Sequence, residues 1–296
     1  MVFTGSVSSL LKGAYNETYL NRLDNLLYWC ETYHIYAILD FHQYRWSSYF
    51  TYIGGIGFPE WLISEGAYPN SENGVKQCAT DFFLNQGYGK TMRRKYINLW
   101  ELIMNRYKDN PYIWAYEPIN EPLVVKGISH SSELADAVMD FYENEFMTII
   151  RQLDSSTIII YHHLAGNMEK ARKALHKNIV WSRSWYDVAY GGYFPSTEYS
   201  ELESRLRKIK YMYNEQCGTP FIVSEMGFQV GTGNAEQWII DTFDVMRSIG
   251  LNNGFECWNW WIYNKGQKYG YQTPRNSDGS DAWIIPLLQQ YLGSDY

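Results

Sequence analysis

Short apolar runs alternate with amphipathic helical patterns along most of the chain, and that alternation restricts the fold more than any other feature. The runs are IYAILDF (35–41), YIWAY (112–116), TIIIYH (157–162), NIVWSRSWY (178–186), PFIVSE (220–225) and GFECWNW (254–260). Helical patterns cover Glu17 to Tyr33, Lys90 to Tyr107, Ser132 to Leu153, Asn167 to Leu175, Glu198 to Cys217, Ala235 to Ile249 and about Asp281 to Leu292. Strands that are continuously apolar, each followed by an amphipathic helix, belong to a parallel sheet covered on both faces. The expected class is α/β.

Within that class, no Gly-rich turn follows the first strand, so a dinucleotide-binding fold has no support. Polar residues gather instead at the carboxyl ends of the strands: Asp40 and His42, Asn120 and Glu121, His162 and His163, Ser184 and Tyr186, Glu225, Trp258 and Asn259. In a (β/α)8 barrel that rim carries the active site. Six strands are countable where a closed barrel needs eight. At 296 residues, with no Pro/Gly/Ser-rich linker and no internal repeat, the whole of 1–296 reads as one domain. The connection from about Gln43 to Gly89 is too long for a turn, and its aromatic content predicts an ordered cleft wall.

A net charge of -7 argues against nucleic acid and against an anionic membrane surface, leaving a neutral partner. No run of 18 apolar residues is present, so no ordinary membrane span is expected, and the first residues lack the pattern of a secretory signal. Cys30, Cys78, Cys217 and Cys257 lie far apart without metal-ligand spacing, and their disulfide pairing cannot be read from sequence. No cofactor or metal is expected. The basic run KTMRRKY (90–96) reads as a solvated helix face. Aromatic residues reach 18%, with 27 Tyr and 12 Trp. Flat amphipathic rings suit sugar faces, and they equally suit a Tyr-rich core. Composition alone leaves both open.

Glu121 and Glu225 each end a strand run. Alone, Glu121 could be a turn residue between Asn120 and Pro122, and Glu225 could pair with an Arg or cap a helix. On two strands of one barrel, however, both carboxylates reach the same rim. Glycoside hydrolysis with retention needs such a pair: one carboxyl protonates the departing oxygen, and the other attacks the anomeric carbon from about 5 to 5.5 Å away. One of the two must stay protonated while the other is ionised. The two carboxyl groups are expected to face each other at that separation.

The stretches AILDFHQ, YEPINEP, FIVSEMG and GFECWNWW, in that order, resemble the third, fourth, seventh and eighth strand ends of glycoside hydrolase family 5, the cellulase-type retaining β-glycosidases. The likeness spans from about Gly13 to the C-terminus. It implies Glu121 as acid/base, Asn120 as the group binding the hydroxyl next to the anomeric carbon, and Glu225 as nucleophile. It also implies His42 lining the adjacent sugar subsite, Trp258 as stacking platform and Tyr186 as hydrogen-bond partner of the nucleophile.

Two departures from the family pattern stand out. Ser184 occupies the place of a family His on the sixth strand, which alters the subsite near the acid/base. Only one helix precedes the third strand, so the barrel is expected to be N-terminally incomplete, with strands 3 to 8 recognisable. A start further upstream, or a second segment or chain, would complete it.

Other candidates carry less. His162 and His163 are adjacent on a strand and face opposite ways, so at most one reaches the rim, as a hydrogen-bonded histidine rather than a metal ligand. Asp40 and His42 share a strand face, which suits a polar network or a substrate contact. No motif supports a Ser-His-Asp or Cys-His nucleophile. The resulting expectation is a retaining endoglycosidase of β-linked glucan, endo-β-1,4-glucanase-like, with β-mannan or glycosylceramide as alternative substrates. A non-catalytic carbohydrate-binding barrel is the alternative of another class. Low charge and high aromatic content fit an extracellular enzyme.

Overall fold

Asn16 starts the first long helix. Its extended backbone and its side-chain oxygen, which accepts from Tyr19 N at 3.2 Å, satisfy a donor that the helix itself cannot. The helix that follows, α1 (Glu17–Thr32), buries Leu20, Leu23, Leu27 and Cys30, the one-sided spacing of a helix lying on a sheet. A short antiparallel pair, β1 (Leu10–Leu11) and β2 (Ala14–Tyr15), precedes it. The structure, a computed structural model, describes residues 10–11, 14–51, 54–123, 132–164, 170–185, 194–226, 233–251 and 284–292. The chain divides into two compact units, Met1–Trp181 and Ser182–Tyr296.

In the first unit β3 (Ala37–Asp40) is followed by α2 (Glu60–Glu65), α3 (Glu72–Phe83) and α4 (Gly89–Tyr107). Next come β4 (Ile113–Glu117), α5 (Ser132–Asp140), a π-helical turn Phe141–Phe146, α6 (Met147–Leu153) and β5 (Ile158–His162). β3 and β4 are parallel, and so are β4 and β5; Ala115 lies opposite Ile158 and Tyr116 opposite Ile159. Between them Ile113, Ala115, Tyr116, Ile159, Ile160 and Tyr161 are all buried, as a sheet covered on both faces requires. β6 (Ile179–Trp185) begins in this unit and runs on into the second.

The described part of the long connection after Gln43 carries α2 and α3, and several of its aromatics build a core. Trp46 stacks on Phe58 with ring centroids 4.9 Å apart and planes 8° from parallel, and Phe82, Phe83, Tyr96 and Phe141 close around them edge-on or tilted. Gly57 makes this packing possible. It holds φ +134°, and a Cβ there would meet Trp46 O at 2.7 Å and the Gln43 Cβ at 2.8 Å.

Two expectations need correction. Arg93, within the basic run 90–96, is buried: its guanidinium donates to the carbonyls of Phe82 and Phe83 at 3.2 and 2.9 Å, capping α3, and pairs with Glu145 at 2.5 Å. Of the helix expected over Asn167 to Leu175 the structure describes residues 170–175: Lys170 is in a 3-10 turn, and 171–175 are not helical. There Lys170 pairs with Asp136 at 2.8 Å, Arg172 with Asp140 at 2.9 Å, and Leu175 N donates to Glu143 Oε2 at 2.9 Å. The acidic side of the α5 helix and its π turn thus binds polar groups of this segment.

The second unit contains the end of β6, then α7 (Pro195–Lys210), a π-helical turn Tyr211–Gln216, β7 (Phe221–Met226), α8 (Ala235–Ser248) and α9 (Ile284–Leu292). Pro195 at the first helical position has its missing N–H where no partner is needed. Every residue of β7 is buried, and Tyr213 stacks on Phe221 with centroids 5.2 Å apart. The strand expected over 254–260 lies outside the described residues.

Candidate active site

Asp40 is the last residue of β3, and His42 lies two residues beyond, on the same side of an extended chain. His42 Nδ1 is 2.8 Å from Asp40 Oδ2, and the two residues are 1% and 3% exposed. Directly opposite Asp40 in the β3–β4 register stands Glu117, the last residue of β4. Glu117 Oε1 is 2.7 Å from His162 Nδ1 at the end of β5, again out of solvent. Two neighbouring strand ends therefore carry two carboxyls, each joined to an imidazole. Burial pushes the Asp40 carboxyl well above the ordinary carboxylate range, and the neighbouring charge of Glu117 pushes it the same way. His162 pulls it back, and Glu121 adds a smaller upward push.

The chain then makes the turn Pro118 to Glu121. The Tyr96 hydroxyl donates to the Pro118 carbonyl. Asn120 is 2% exposed; its N–H donates to Phe41 O at 3.1 Å and its Nδ2 to Gln43 O at 3.1 Å. Gln43, itself fully buried, answers with its side chain. Its Nε2 donates to Asn120 O at 2.6 Å and to Glu121 O at 2.7 Å, while its Oε1 accepts from Trp46 N at 3.0 Å. Glu121 is half-buried and holds φ +42°, a backbone conformation that costs a non-glycine residue about 1–3 kcal/mol unless its surroundings impose it.

Of the residues singled out in the sequence, His42, Asn120 and Glu121 thus come together in the first unit, joined through the backbone and side chain of Gln43. Glu225 lies in the second unit, in β7, 4% exposed. Ser184 is buried there too, and Trp185 beside it lies with the guanidinium carbons of Arg183 and Arg205 each 5.4 Å from its ring centroid. Tyr186 and Trp258 lie outside the described residues.

Sequence reasoning passed over Glu117 and Gln43. A carboxylate inside the apolar run IWAYEP is itself a signal, because a buried charge on a two-sided strand must find a partner. Gln43 gives no such sign; nothing in its spacing marks it.

Among the described residues no group of three or more His, Cys, Asp or Glu side chains is arranged to hold a metal ion. Cys30, Cys78 and Cys217 are buried free thiols, and no described helix is long and apolar enough to cross a membrane.

The sequence model of the cellulase family, glycosyl hydrolase family 5, matches residues 1–266, and the chain belongs to that family. An endoglycoceramidase of Hydra vulgaris is 23% identical over 286 residues, covering 84% of this chain and 52% of that protein. The chain therefore spans about half the length of this relative. Among solved structures, endo-glycoceramidase II from Rhodococcus sp. in its ganglioside GM3 complex matches with a TM-score of 0.76 at 17% identity, over 97% of this chain and 69% of that one. XacCel5A in complex with cellopentaose matches with a TM-score of 0.63 at 18% identity, over 96% and 82%. At these identities the structural likeness is one of fold, the α/β barrel of the family.

Proposed function

We propose that this chain is the catalytic barrel of a retaining endoglycosidase that releases the oligosaccharide of a glycosylceramide. The observation that carries this substrate is the relationship to the Hydra vulgaris endoglycoceramidase, which favours the lipid-linked glycan over the β-glucan first expected from the sequence. In the proposed mechanism Glu225 attacks the anomeric carbon as the bond to the ceramide oxygen breaks, and Glu121 gives that oxygen its proton. The Glu121 carboxylate then takes a proton from water, whose oxygen displaces Glu225 from the anomeric carbon. Two inversions give net retention. Asn120, His42 and Trp258 hold the sugar and Tyr186 hydrogen-bonds the nucleophile, the roles the family pattern implies for them.

A second substrate, a β-1,4-glucan, is favoured by the fold likeness to a barrel bound to cellopentaose. Incubation of the purified protein with fluorescent lactosylceramide and, separately, with cellopentaose distinguishes the two. Free lactose with intact ceramide is the expected product, abolished in both Glu121→Gln and Glu225→Gln. Turnover of cellopentaose alone would replace the substrate. Full activity in either variant would overturn the residue roles, and sugar binding without turnover would make the chain a binding barrel.

A further inference from the structure

We propose that Gln43 is a positioning residue for the acid/base: its side-chain amide fixes the backbone of Asn120 and Glu121 so that the Glu121 carboxyl meets the departing oxygen. The proposal rests on the reading of Glu121 as acid/base given above. One NH2 group donates to two successive carbonyls, Asn120 O at 2.6 Å and Glu121 O at 2.7 Å. Two acceptors on a single planar amide set the orientation of both peptide planes, and with them the direction in which Glu121 leaves the chain at φ +42°. The amide cannot rotate away, because its Oε1 is held by Trp46 N at 3.0 Å, and Trp46 is anchored in the aromatic cluster. The backbone of Gln43 closes the loop by accepting from Asn120 Nδ2 at 3.1 Å, which orients the Asn120 amide as well. Gln43 itself is wholly buried, so it acts through the turn and not on the substrate.

A positioning role separates from a merely structural one by leaving group. An alkoxide must be protonated as it departs, whereas dinitrophenolate leaves without an acid. The experiment measures kcat/KM on n-octyl and dinitrophenyl β-lactosides, with the matching cellobiosides in parallel, for wild type, Gln43→Met, Gln43→Glu and Glu121→Gln. The ratio between the two leaving groups is independent of how much of each sample is folded. Gln43→Met removes both donors and the acceptor; Gln43→Glu keeps an acceptor for Trp46 N. Both are expected to lose about 10²-fold on the octyl glycoside, the scale of a misplaced catalytic group, with kcat/KM on the dinitrophenyl glycoside nearly unchanged. On the dinitrophenyl glycoside kcat and KM should fall together, since the base-assisted second step slows. Equal losses on both leaving groups in the Gln43 variants, with the split present in Glu121→Gln, would overturn the role of Gln43 alone. A Glu121→Gln variant that shows no split would sink the acid/base assignment itself.

Discussion

Glu117 and His162, the last residues of adjacent parallel strands, meet at 2.7 Å with both side chains shielded from water. Truncation of either leaves the other buried without that partner. Glu117→Ala is expected to destabilise the fold by about 3 kcal/mol, the scale of losing one hydrogen bond between buried ionisable groups. Glu117→Gln retains an acceptor for the imidazole and should cost less. Urea unfolding midpoints, with the slope unchanged, measure both; equal midpoints for wild type and Glu117→Ala would contradict the pairing as a stabilising contact.

The neighbouring Asp40 gives stability a pH dependence of defined sign. Its folded pKa is raised by burial first and by the Glu117 charge second, so the native state keeps a proton that the unfolded chain has lost. That contribution is fully present below the ordinary aspartate value of about 3.9, and it is lost as pH rises through the raised value. Asp40→Asn lacks this slope. The difference in unfolding free energy between variant and wild type should therefore shift towards the variant as pH increases from the acid range to neutrality. Parallel stability curves across that interval would rule the linkage out.

Gly57→Ala is the third expected lesion. The position combines φ +134° with a Cβ site 2.7 Å from Trp46 O and 2.8 Å from the Gln43 Cβ, and neither the backbone nor that short stem can swing aside. A loss of about 1–3 kcal/mol follows from backbone strain alone. Because the added methyl presses on Gln43, activity on alkyl glycosides should fall more than the melting temperature accounts for. Unchanged activity at a lowered melting temperature would uncouple this loop from the site.

Most of the layout was legible because strands buried on both faces and helices buried on one announce their periods: IYAILDF, YIWAY, TIIIYH and PFIVSE each match an observed strand to within two residues at either end. What failed depended on partners distant in sequence. The pattern over Asn167 to Leu175 looked helical, but the described residues 171–175 are not, and there Asp140 and Glu143 bind Arg172 and the Leu175 N–H. Arg93 looked solvated because a single sequence does not reveal that the carbonyl end of α3 would come within reach of its guanidinium. The aromatic connection after Gln43 suggested an ordered cleft wall, and Trp46, Phe58 and Phe82 within it lie in the interior. At the candidate site, the turn bearing Glu121 was visible as Asn-Glu-Pro, whereas the Gln43 amide bonded to its carbonyls was not. A buried glutamine has no periodicity to betray it.

The left-handed backbone at Glu121 also bears on how such a barrel could drift. Glycine or asparagine adopts φ +42° with less strain than glutamate does, so folding by itself would favour replacing this residue. A lineage released from catalysis would have a downhill route at this codon, gaining stability as it shed its carboxylate. On the proposed reading of Glu121 as acid/base, this strain is a stability–activity trade-off held at one residue.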